Sequence, residues 1–201
     1  LGQAGQHDEA RQILQTLRDN GLEENTLLFF TNDNGGAYIN ASNNFPLRGT
    51  KGSPFEGGNR VPFLIQWPRR IPAGSTYRFP ITTRDIASTA IAAAGNNLTD
   101  LERPLDGVNL LPYINGTTSG IPHEDLFITR FSAQQSAVRQ GNWKYMFQGG
   151  NYQLYDLATD INESNNVINN PANAAIAGEL HQLLASYHVQ MDKPRHDNQA
   201  D

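Results

Sequence analysis

The sequence predicts an α/β chain in two parts. Residues 1–115 read as part of a layered α/β/α core, and residues 116–201 as a small antiparallel sheet with a packed C-terminal helix. Three observations carry this. Ala10, Ile13, Leu14 and Leu17 recur at helical spacing ahead of a short apolar run over residues 26–31. Short strand-like segments crowd residues 125–131, 136–139, 143–148 and 152–155, with Gly141-Asn142 and Gly149-Gly150-Asn151 as turns between the later ones. Ile176, Leu180, Leu183, Leu184 and Tyr187 then mark an amphipathic helix over residues 172–189.

Taken in order, Asp8 and Glu9 suit the positive end of the first helix, and Gly21 its C-terminal stop. The run over residues 26–31 is nearly all apolar, as in a strand buried on both faces. Helix then buried strand is one αβ unit of a layered sheet. Residues 62–67 read as a second strand, closed by Pro68. Residues 85–94 read as an Ala- and Ile-rich helix ending at Gly95, with Asp85 as N-cap or first-turn acid. From about residue 191 the chain is polar and is expected to fray.

Composition narrows the function classes. With 201 residues and 38% hydrophobic content, the chain can bury one sizeable core. A net charge of −5 argues against bulk attraction to nucleic acid or anionic membranes, and no apolar run approaches a membrane span. The absence of cysteine excludes disulfides, zinc thiolates and a cysteine nucleophile within these residues. One segment departs from the acidic average. Between Pro46 and Arg70 lie Arg48, Lys51, Arg60, Arg69 and Arg70, against Glu56 alone.

That basic segment follows Thr31-Asn32-Asp33-Asn34-Gly35-Gly36. In an open α/β sheet, ligands bind beyond the carboxyl ends of the strands. Asp33 and Asn34 stand just past such an end, and Gly35 and Gly36 allow a sharp turn. A carboxylate and an amide carbonyl are oxygen ligands for a hard cation, calcium or magnesium. The same words also fit an ordinary Asx-turn. Lys51, in the Gly-rich loop of Gly49, Gly52, Gly57 and Gly58, is a compact charge able to reach one oxygen of a sulfate or phosphate. Arg48 is a weaker substrate-contact candidate. Glu56 is expected to pair with Arg60 or a backbone amide rather than to catalyse. His123 and Arg130, in or beside loops, are further weak substrate contacts set against plain solvent exposure. Trp143, Tyr145 and Tyr155 read as core or cross-strand aromatics.

The words NTLLFFTNDNGG, PLRGTKGSPFEGGNRVPFLIQWP, DGVNLLPYINGT, AVRQGNWKYMF and LYDLATDINESNNV, in that order, resemble the C-terminal portion of the sulfatase family, within the alkaline phosphatase-like superfamily. Asn32 departs from the Ser that commonly precedes the Asp-Asn pair. The resemblance implies an alkaline phosphatase-like fold and hydrolysis of sulfate esters of carbohydrates or small molecules. It implies that Asp33 and Asn34 ligate Ca2+ and that Lys51 contacts the sulfate. It also implies a formylglycine nucleophile, made from the Cys or Ser of Cys/Ser-x-Pro-x-Arg. No such word occurs in the chain, so the nucleophile is expected in a missing N-terminal half, and the chain alone is expected neither to turn over nor to fold cleanly. A secreted, periplasmic or lysosomal setting is suggested by the resemblance. The rival readings are a phosphate or phosphonate ester hydrolase of the same superfamily, and a non-catalytic calcium- or anion-binding relative.

Overall fold

Residues 2–130 and 134–191 are described in the computed structural model. The predicted first helix is α1, Gly2–Asp19. It starts earlier than the acids implied, so Asp8 and Glu9 lie in its second and third turns and its first turn holds no acid. Asp8 instead pairs with Arg11 at 3.4 Å. Gly21 ends the helix as predicted. It adopts φ 66°, and Gly21 N and Leu22 N donate to the carbonyls of Arg18 and Leu17, both at 2.9 Å. This double bond pattern satisfies the last carbonyls, and the left-handed position suits a residue without Cβ.

Two compact units follow from the contacts, each discontinuous in sequence: Leu1–Thr31 with Pro62–His123, and Asn32–Val61 with Glu124–Asp201. In the first, β1 (Leu28–Thr31) pairs antiparallel with β2 (Phe63–Gln66), Leu28 opposite Gln66 and Thr31 opposite Phe63. The expectation of a strand buried on both faces is corrected. All four β1 residues are half-buried, and Leu64 of β2 is exposed. Among the described residues β1 and β2 pair only with each other, and apart from exposed Leu64 their residues are half-buried rather than covered on both faces. Trp67, Ile71 and Leu111 form this unit's buried cluster, with Leu27, Ile65, Ala93 and Ile114 packed on it. Helix α3 spans Asp85–Ala93.

The second unit holds the predicted meander. β3 (Asp125–Arg130), β4 (Gln135–Gln140), β5 (Trp143–Gln148) and β6 (Asn151–Asp156) are antiparallel in sequence order. Phe131, the last residue of the predicted first strand, lies outside the described residues, as does the tail over residues 192–201. Side chains alternate across a pleated sheet, and both faces here are covered. Val138, Tyr145 and Leu154, directly opposite one another on three strands, meet Leu180 and Leu184 of the final helix, Ala174–Gln190. Ala137, Met146 and Tyr155 turn to the other face and meet Phe55. The predicted roles of Tyr145 and Tyr155 as core aromatics hold, and Trp143 packs on the helix side. No helix among the described residues is long and apolar enough to cross a membrane.

Candidate functional site

Asp33 and Asn34 sit on a tight turn just past β1. Asn34 N donates to Asp33 Oδ1 at 2.9 Å, and Asn34 Nδ2 donates to the Gly35 carbonyl at 2.9 Å. The second bond commits the amide NH2 and fixes which way the amide oxygen Oδ1 faces. Asp33 is exposed and Asn34 half-buried. Two oxygen-bearing side chains are thus presented together on one short turn. Asn34 N engages one carboxylate oxygen of Asp33, a bond to the next residue rather than the i to i+2 bond of an Asx-turn.

Backbone contacts bind this turn to the Lys51 loop. Gly35 N donates to the Gly58 carbonyl at 2.9 Å, Gly57 N to the Arg48 carbonyl at 2.7 Å, and Lys51 N to the Gly36 carbonyl at 3.1 Å. The approach requires glycine. A Cβ on Gly35 would lie 1.7 Å from the Gly57 carbonyl oxygen. Asn44 clamps the arrangement, accepting from Gly36 N at 2.9 Å and donating to the Gly36 and Gly49 carbonyls, each at 3.0 Å. The predicted metal pair and the predicted anion lysine are therefore on adjoining strips of backbone. The Lys51 side chain is exposed.

Arg48 is turned to a different use. Its Nη1 donates to the Glu163 carbonyl at 2.7 Å and to the Tyr155 hydroxyl at 3.3 Å, and its guanidinium carbon lies 4.1 Å from the Phe55 ring centroid. It anchors the loop that carries Lys51. His123 belongs to the other unit. There its Nε2 lies 2.9 Å from both oxygens of Asp85, which is fully buried. Asp85 also accepts from Thr82 N at 2.7 Å and from Val108 N at 2.9 Å. Asp85 therefore heads α3 and ties three segments together. Asp85→Ala is expected to cost on the order of 3 kcal/mol, because it orphans two part-buried amides and the imidazole. Denaturant unfolding measures this, and a loss under 1 kcal/mol would refute the role.

Beneath the Lys51 loop lies a buried ionic cluster. Glu56, the first residue of α2 (Glu56–Asn59), is 4% exposed. Lys144 Nζ stands 2.9 Å from Glu56 Oε1 and 2.9 Å from Glu163 Oε1. Arg139 and Arg60 approach Glu56 Oε2 at 3.5 and 3.6 Å. Glu163 Oε2 accepts from Glu56 N. The expected Glu56–Arg60 pair is present but is the longest of the contacts to Glu56. Burial pushes the Glu56 carboxyl up, yet Lys144, Arg139 and Arg60 outweigh it and hold it below the usual range. For Glu163, burial together with the Glu56 charge wins over Lys144, and its carboxyl is raised.

Comparison with known proteins identifies the scaffold. The family model described as "Sulfatase" matches residues 7–96. Mouse steryl-sulfatase is 34% identical over 154 residues, which is 70% of this chain and 24% of that protein. Dog N-acetylgalactosamine-6-sulfatase is 40% identical over 109 residues, 52% of this chain and 21% of that protein. The chain belongs to the sulfatase family. Its fold agrees: the crystal structure of Ps i-CgsB in complex with k-i-k-neocarrahexaose superposes with a TM-score of 0.75 at 31% identity, covering 87% of this chain and 39% of that one. A putative sulfatase of Bacteroides thetaiotaomicron shares the fold, with a TM-score of 0.72 at 21% identity, covering 91% of this chain and 40% of that one. The architecture is thus alkaline phosphatase-like α/β. The chain spans about a quarter of the length of the curated relatives it matches.

Sequence reasoning left Lys144, Arg139 and Glu163 unassigned. A signal was available. Strand alternation puts Arg139 on the face of Ala137 and Lys144 on the face of Met146, and the two cations stand opposite each other across β4 and β5. Paired like charges on a buried sheet face require buried anions. Glu163, in a loop at φ 52°, carries no such local signature.

Proposed function

We propose that this chain supplies the metal- and sulfate-contacting side of a sulfate ester hydrolase. The observation that carries the reading is the backbone ladder joining the Asp33-Asn34 turn to the Lys51 loop. Asp33 and Asn34 fit a calcium ion by donor chemistry, since both offer hard oxygen, and by the fixed amide orientation of Asn34. Two side chains fall short of the six to eight ligands such an ion takes. Among the described residues no cluster of three or more His, Cys, Asp or Glu is placed to hold a metal. The remaining ligands, and the formylglycine nucleophile, are assigned to other parts of the protein. Asp33 and Asn34 would hold part of such an ion's coordination, and the ion would polarise the sulfate oxygens.

Lys51 binds one sulfate oxygen and offsets the negative charge that grows as the ester bond breaks. Asn44 and Arg48 hold its loop in place. Sulfated carbohydrate is the favoured substrate class, in keeping with the N-acetylgalactosamine-6-sulfatase relatives.

Paired assays of the whole protein with an aryl sulfate and the matching aryl phosphate test the reading. Preferred hydrolysis of the sulfate is expected. Preferred hydrolysis of the phosphate would establish the phosphoesterase alternative, and no turnover of either the non-catalytic one. The chain of residues 1–201 by itself is expected to be inactive, and sulfatase activity from it, with contamination excluded, would defeat the division of labour proposed here.

A further inference from the structure

Lys51 lies on the loop between Arg48 and Glu56, and both flanks of that loop meet on Glu163. On the near flank, Arg48 Nη1 donates to the Glu163 carbonyl at 2.7 Å. On the far flank, Glu56 N donates to Glu163 Oε2 at 2.6 Å. Glu163 thus takes one flank on its main chain and the other on its side chain. Its remaining carboxylate oxygen, Oε1, stands 2.9 Å from Lys144 Nζ of β5, so the sheet holds the same side chain. Glu163 is fully buried.

Glu163 is itself firmly placed. Its φ of 52° is left-handed, a conformation uncommon for a residue with a Cβ. Asp160 keeps the turn in that shape. The Asp160 carbonyl accepts from Glu163 N at 3.1 Å, its Oδ1 from Ser164 N and Ser164 Oγ at 3.1 and 2.9 Å, and its Oδ2 from Asn165 N at 2.8 Å. Beyond the turn, Leu154 N of β6 donates to Asn166 Oδ1 at 3.0 Å, and Val167 N to the Leu154 carbonyl at 2.9 Å. A strained residue persists only where its surroundings over-determine it, and such residues cluster at functional sites.

We propose that Glu163 is a positioning residue for Lys51: it clasps both flanks of the loop and so fixes where the ammonium meets the sulfate. The proposal rests on the reading of Lys51 as the sulfate contact. The Lys51 side chain is exposed, so no packing holds it, and its placement follows that of the loop backbone. The clasp needs a carboxylate, because Glu163 serves Glu56 N and Lys144 on separate oxygens. A glutamine has one acceptor oxygen, and its NH2 would face whichever donor is left. A buried N–H without its acceptor is costly, and the far flank would shift to relieve it.

The test is a double-mutant cycle on the whole protein with an aryl sulfate. Glu163→Gln and Arg48→Met, one for each flank, are each made alone and in combination with Lys51→Ala. Alone, each is expected to lower kcat/KM about 10- to 100-fold, mostly through kcat, as a misplacement of about 1 Å does. In the Lys51→Ala background each is expected to cost less than about threefold, since the group it positions is gone. A residue that only supports the fold would lower activity by the same factor in both backgrounds. Equal factors would therefore overturn the proposal, as would a loss under about threefold from each single variant. Arg48 is exposed, so Arg48→Met is expected to fold, and it decides the outcome if Glu163→Gln does not. A Lys51→Ala protein as active as wild type, or a wild type inactive on the aryl sulfate, would strike the Lys51 reading and the clasp with it. Equal factors beside a disabled Lys51→Ala would strike the clasp alone.

Discussion

Lys144→Met is expected to be among the most destabilising single changes in the chain, at about 3–5 kcal/mol, the cost of removing one partner from a buried ion cluster. Lys144 is fully buried and stands 2.9 Å from each of two carboxylates. Without it, Glu56 keeps Arg139 and Arg60, but Glu163 loses its ion-pair partner while remaining buried beside the Glu56 charge. The pH dependence should carry the same signature. Glu56 has a folded pKa below its unfolded value, so its stabilisation is complete above the unfolded value and is lost as pH falls through the folded one. Glu163 has the opposite sign. Its raised folded pKa means that the fold loses stability as pH climbs from the unfolded value to the raised one. In Lys144→Met the Glu163 contribution dominates, and moderate acidification should recover part of the lost stability. Thermal melts of both proteins over a pH series measure this. A variant within 1 kcal/mol of wild type, or one that gains no more stability than wild type on mild acidification, would contradict the cluster's role.

Lys51→Ala is expected to lower kcat/KM of the whole protein for a sulfate ester about 10²- to 10³-fold, the usual effect of removing one preorganised donor from a developing negative charge. Stability should move by no more than about 0.5 kcal/mol, because the side chain is exposed and the loop is held by backbone bonds and by Asn44 and Arg48. That separation of activity from stability is what distinguishes Lys51 from Lys144. Steady-state kinetics with a thermal melt on the same sample decide it. A drop under threefold, or a loss of activity matched by a loss of fold, would remove Lys51 from the site.

The meander and its helix were legible because their signals are local. Period-two alternation from Val138 through Leu154 and the Gly-Asn turns specify strands and register without any distant partner. The first part was less legible. Residues 26–31 looked like a fully buried strand because apolar content reports the tendency to be covered, not what covers it. Among the described residues β1 has only β2 beside it, antiparallel. The first helix ran past Asp8 and Glu9 because its early polar residues carry no capping sequence that the periodicity could locate.

Of the candidate site, Asp33, Asn34 and Lys51 stand out in the sequence as residue types at a strand end and in a Gly-rich loop. The ladder that joins them does not, since Gly35, Gly57 and Gly58 meet through backbone atoms that sequence does not display. Arg48 and His123 show the converse. Each stood as a weak substrate contact against a plain surface position, and each has a structural partner, the Glu163 carbonyl and Asp85 respectively, set by long-range packing.

Calcium titration by calorimetry of the whole protein, with Asp33→Ala and Lys51→Ala alongside, tests the central claim most directly. Asp33 and Asn34 are held to ligate the cation while Lys51 binds the oxyanion. Wild type and Lys51→Ala should then both bind calcium, and Asp33→Ala should lose binding at the matching site without unfolding. An Asp33→Ala protein that retains the wild-type stoichiometry and affinity would show that the turn beyond β1 is an ordinary loop turn and not a cation site.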